Sequence, residues 1–184
     1  MSEIPAHEII VVPGPGEPGR DELLQQCYDL RVAVFHHEQG FALEDEFDAL
    51  DEGATHILLR LAGSHTPVGT IRATRHGGYY KLSRLVVLKE HRQHKFGRVL
   101  VEAHKAWIRE DARAAGLSEA VIRCHSQLYV RPFYARLGYE AEVCTWYKRT
   151  QRGINLNNDI YLQGELFDED GAPHQLMVCR LKLD

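Results

Sequence analysis

The sequence predicts an α/β fold, a mixed sheet covered by helices. Three observations carry this. Short alternating or apolar runs recur between turn residues, and two long stretches repeat apolar residues at helical spacing. One strand, helix and strand also follow one another over residues 82–125, a β-α-β unit that makes its two strands parallel and its crossover right-handed.

Taken in order, "HEIIVVP" (7–13) reads as a strand closed by the Pro- and Gly-rich turn "PGPGEPG". Arg20 to Gln39 reads as a helix, with Leu23, Cys27, Leu30 and Val34 at helical spacing and Gly40 beyond its end. The acidic block "FALEDEFDALDEG" has no strand period and reads as an exposed, negatively charged loop or short helix. "THILLRLAG", "PVGTIRATR" and "GYYKLSRLVVL" are separated by compact turns and predict an antiparallel meander. Gly97 to Ala115 is the strongest helix, ended by Gly116, and "LSEAVIRCH" is a buried strand. "SQLYVRPFYARLGYE" reads as a short helix ending at Gly138, with Pro132 in its first turn. "YEAEVCTWYKR", "IYLQGELF" and "HQLMVCRLKL" supply the closing strands, the last two joined by a hairpin at Asp170-Gly171.

A chain of 184 residues with 44% hydrophobic and 26% charged residues fits one globular domain, spanning 1–184. A formal charge of -4 argues against nucleic acid as a partner, which calls for a basic surface. No apolar run approaches a membrane span, so no membrane partner is expected either. Cys27, Cys124, Cys144 and Cys179 show no paired spacing, which reads as reduced thiols in a cytoplasmic protein. The eleven histidines never fall at zinc-site spacing, and no metal is expected.

The segment "VVLKEHRQHKFGRVLVEAH" (86–104) is the most informative. It gathers Arg92, His94, Lys95 and Arg98 around a helix start, where backbone amides already favour an anion. The spacing is not that of a Walker loop, and the three glycines of a dinucleotide fingerprint are missing. The segment resembles the coenzyme A pyrophosphate loop of the GNAT acyltransferases, Arg/Gln-x-x-Gly-x-Gly/Ala, on Arg92, Gln93, His94, Lys95, Phe96 and Gly97. "QLYVRPFYARLGYE" is similar to the family's second signature, on Gln127, Tyr134, Gly138 and Tyr139. "RVAVFHHEQGF" resembles the R-x-x-V-F-x-x-E-Q signature of a small single-domain GNAT branch, and the likeness runs from about residue 20 to 181. A segment at about 144–163 is extra relative to that branch.

The resemblance implies a GNAT-like fold: a central mixed, mostly antiparallel sheet of six to seven strands flanked by about four helices, with the parallel unit at the cofactor site. It implies acetyl-CoA as cosubstrate and a small-molecule primary amine as acceptor, with direct attack in a ternary complex. Leu85, Val86 and Val87 would hold the pantetheine arm, the amides from Gln93 to Arg98 the pyrophosphate, and Gln127 the ligand as well. An amide at about Val87 would polarise the thioester carbonyl, and Tyr134 would protonate the leaving thiolate. The base is open among Glu38, Glu44, Asp45, Asp48, His125, Glu169 and a chain of waters, with Glu38 and His125 favoured because each ends a regular element. At Lys95, where the pattern has glycine, a side chain requires a backbone without positive φ. A non-catalytic acyl-CoA sensor of the same fold is the alternative, and a homodimer is the one further assembly considered.

Overall fold

The computed structural model describes residues 4–142, 166–169 and 171–183. The extra segment at 144–163, Cys144 and Asp170 lie outside these residues. The elements are β1 (His7–Val11), α1 (Arg20–Arg31), β2 (Thr55–Leu61), β3 (Pro67–His76), β4 (Tyr79–Val87), α2 (Phe96–Ala114), β5 (Glu119–Gln127), α3 (Arg131–Ala135), β6 (Glu140–Ala141), β7 (Leu166–Glu169) and β8 (Ala172–Lys182). A π-helical stretch, Val32–Glu38, continues α1, so the helix expected to reach Gln39 is present with its last two turns widened.

The sheet runs β1-β2-β3-β4-β5-β8-β6, with β7 also on β8. It is antiparallel throughout except for β4 and β5, joined through α2. The eight strands exceed the expected six or seven because β6 and β7 are short pieces sharing the outer edge of β8. Gly171, at φ 77, turns the β7–β8 hairpin.

Three layers result. Strand alternation sends Leu58 and Val86 to one face, where they pack with Cys27, Leu30 and Val34 of the first helix. Ile57, Leu59 and Val87 face the other way, against Phe96, Leu100, Val101 and Ile108 of α2 and Tyr134 of α3. With His104, Lys105 and Ala112, the buried α2 residues recur at the three- and four-residue spacing of one helix face, the stripe that the sequence period predicts.

One irregularity sets up the site. Arg84 has φ 53, and the β3–β4 register slips between Thr70 and Arg72, so that Arg84 and Leu85 together stand opposite Ile71. The parallel pairing of β4 with β5 stops at Leu82–Cys124. Beyond that point the strands splay and the sheet opens into a V.

Burial pushes His56 down to about 4, and His104, beside Lys105 and fully enclosed, down to about 3. Between those values and the ordinary 6.5 the unfolded chain binds more protons than the folded one, so stability is lost as pH falls. The denaturant midpoint is expected to decline steadily from pH 7 to pH 4. His104→Leu should flatten that decline, and an unchanged slope would acquit His104.

Candidate active site

A cleft of ≈ 660 Å³ opens where β4 leaves β5. One wall is Leu85, Val86 and Val87, the floor is Lys95, Gly97 and Arg98 at the start of α2, and Tyr129, Phe133 and Tyr134 form the far wall. The amide of Leu88 donates to Val68 on β3, so by strand alternation the amides of Leu85 and Val87 point to the open side of β4. The Val87 carbonyl on that side is taken by Arg92 Nε at 2.9 Å, while the two amides remain for a ligand.

At the helix start the amides of Phe96 and Gly97 have no carbonyl one turn back, and no side chain caps them. Gly97 has no side chain to cover them, and a Cβ there would stand 3.4 Å from Phe133 Cζ. The expectation for Lys95 is overturned: its φ is 61 and its ψ 20, left-handed backbone held by a lysine. That conformation costs about 1 kcal/mol for a residue with a Cβ. Lys95→Gly is therefore expected to raise stability by up to about 1 kcal/mol. It should also weaken coenzyme A about tenfold by removing a charge from the helix start. Calorimetry with a melting curve reads both, and unchanged affinity would assign Lys95 no part in binding.

Of the residues expected at the coenzyme, Leu85, Val86, Val87, Arg92, Lys95, Gly97, Arg98 and Tyr134 line this cleft. Four do not. Phe96 is wholly in the core, and Gln93 turns its amide to the Glu90 carbonyl. His94 packs on Phe96 at 5.7 Å, and Gln127 lines a different pocket. Glu38 lines the cleft, but both its oxygens accept from Arg92 at 2.7 Å, and that hydrogen bonding holds its carboxyl below the usual range. A carboxylate bound in this way is a poor proton acceptor.

Tyr134 is 7% exposed, packed edge-on against Phe133 and Tyr139 at 5.1 and 5.5 Å. Burial pushes its hydroxyl well above the ordinary phenol value, so it carries its proton at neutral pH.

Across the splayed strands lies a smaller pocket of ≈ 240 Å³ on the face of the first helix. His125 and Gln127 of β5 line it with Lys81 and Ser83 of β4 and Glu169 of β7. His125 Nδ1 lies 2.9 Å from both oxygens of Glu169. A carboxylate can only accept there, so Nδ1–H donates, and in the neutral ring the lone pair is then on Nε2. That hydrogen bond holds the Glu169 carboxyl below its ordinary value. The two pockets are lined by neighbouring residues: Leu85 lines the cleft and Arg84 the pocket, as do Val34 and Phe35.

The acidic block is not simply exposed, as the sequence suggested. Glu44 and Asp45 are, but Glu46 and Asp51 are 1% and 4% exposed. Asp51 accepts from Arg31 Nη1 at 2.8 Å and Arg72 Nη1 at 2.6 Å, and Asp48 from Arg72 at 2.8 Å. Burial opposes ionisation of both aspartates, yet the arginines win and bring Asp48 down to about 2. Sequence reasoning missed this network, whose only outward sign is the excess of arginines on β3 and β4.

The chain matches the family model for an acetyltransferase (GNAT) domain over residues 23–155. It belongs to the GNAT acetyltransferase family. Among its curated relatives YyaT of Bacillus subtilis is 31% identical over 158 residues, 84% of this chain and 87% of its own. YjcF of the same organism, named an uncharacterized N-acetyltransferase, is 32% identical over 119 residues, 65% and 79% of the two chains. An acyl-CoA N-acyltransferase from Pseudomonas aeruginosa has a similar fold in its crystal structure, with TM-score 0.67 at 20% identity, covering 95% of this chain and 99% of that one. Acyl transfer from an acyl-CoA cosubstrate is the chemistry of the GNAT family, and among the described residues no helix is long and apolar enough to cross a membrane.

Proposed function

We propose that this GNAT protein moves the acetyl group of acetyl-CoA to a primary amine of a small molecule, the two substrates bound together. The observation that carries this is a pair of pockets beside the splay of β4 and β5, lined by neighbouring residues, with Tyr134 in one and the His125–Glu169 pair in the other. A cleft floored by the uncapped amides of the α2 start and two basic side chains, Lys95 and Arg98, suits a pyrophosphate, and the open edge of β4 suits an extended amide-bearing arm.

The Leu85 and Val87 amides hold the pantetheine arm, and the Val87 amide lies on the strand edge that can polarise the thioester carbonyl. His125 Nε2 takes the proton of the bound ammonium, with Glu169 fixing the ring and stabilising its positive charge. The amine then forms the new N–C bond as the C–S bond breaks, Tyr134 gives its proton to the sulfur, and the proton shed by the new amide nitrogen restores the phenol. Glu38, held by Arg92, braces the loop against the first helix instead of serving as the base. Gln93, His94 and Gln127 have supporting places around the site, and Phe96 offers only its backbone amide, its ring lying in the core.

A screen of small primary amines for release of free coenzyme A tests this reading. Release should appear with a subset of amines and fall sharply in His125→Ala. Coenzyme binding without release across a broad library would favour the sensor.

A further inference from the structure

We infer that the acceptor is an amino carboxylate, its amine at His125 and its carboxylate bound by Lys81. This rests on the acyl-transfer reading of the same pocket and adds the chemical class of the acceptor.

The charged groups around the pocket are matched, with one exception. Arg72 is taken by Asp48 and Asp51. Arg84 reaches Glu46, Asp48 and the Asp45 carbonyl, and Glu169 holds His125. Lys81 lines the same pocket half-buried and, among the described residues, makes no hydrogen bond or ion pair. An ammonium group that lines a pocket and makes no hydrogen bond of its own is open to an anion on a ligand.

The register gives the spacing. Lys81 is paired with Arg123, and His125 stands two residues further along β5, so both side chains rise from one face of the sheet. Strand separation and rise put their backbones about 8 Å apart. The charge of Lys81 also acts on Glu169 and helps keep it ionised, so the three groups share one electrostatic neighbourhood. A volume of ≈ 240 Å³ suits an acceptor of amino-acid size.

The test uses matched pairs, each an amino carboxylate and the same skeleton without the carboxylate, such as 4-aminobutanoate and propylamine. Calorimetry with coenzyme A present measures their binding to the wild type and to Lys81→Gln. At least one amino carboxylate should bind about tenfold more tightly than its amine. Lys81→Gln should erase that preference while leaving the melting temperature and coenzyme affinity intact, and Lys81→Arg should keep it. Equal binding of the pairs, a preference that survives Lys81→Gln, or no binding of any pair overturns the proposal. Thiol release with the same pairs separates the two readings. Lys81-dependent binding without release sinks acyl transfer and upholds the anion site; release that favours bare amines does the reverse.

Discussion

Tyr134→Phe is expected to lower turnover about a hundredfold or more, with coenzyme A affinity little changed, because a positioned general acid contributes roughly that much. The phenyl ring keeps the packing against Phe133 and Tyr139 and removes only the hydroxyl proposed to protonate the leaving thiolate. Steady-state kinetics with a calorimetric titration check both halves. Unchanged turnover would take Tyr134 out of the chemistry and leave it a core residue.

Asp51→Ala should cost about 3–5 kcal/mol, a large share of the 5–15 kcal/mol typical of a domain. Its carboxylate is the shared counter-charge of two almost fully enclosed guanidinium groups, and its removal leaves Arg31 only the longer contact with Glu46 and Arg72 only the partly exposed Asp48 as counter-charge. Asp48→Ala should cost less, since Asp48 holds only the outer side of Arg72 and its side chain is 34% exposed. The depressed carboxyls of Asp48 and Asp51 give stability that is present above the ordinary aspartate range and lost as pH falls toward about 2. Urea melts of the two variants rank them, and equal midpoints would mean that the network holds the fold no better than a surface pair.

The elements were legible because they depend on local period and punctuation. The meander, α2 with its buried stripe, the parallel β4–β5 pair and the Gly171 hairpin all follow from patterns of ten to twenty residues. The basic turn leading into α2 was legible for the same reason, as a contiguous run. What escaped was set by distant partners. Glu38 looked like a base until Arg92, 54 positions away, was found holding it. Glu169 was one carboxylate among six candidates until the β7–β8 hairpin carried it to His125, 44 positions back. Glu46 and Asp51 looked solvated because their counter-charges come from α1, β3 and β4. The left-handed Lys95 departs from local preference, the kind of strain that collects at functional sites.

The central claim is that the cleft beside β4 and α2 binds acetyl-CoA. Its most direct test is the melting temperature of the full chain with and without millimolar acetyl-CoA. At a hundredfold excess over Kd, linkage adds about 2.7 kcal/mol, or roughly 5–10 °C for a chain of this size. A rise of that order, smaller in Lys95→Gly, is the predicted result; no shift at millimolar ligand would contradict the account.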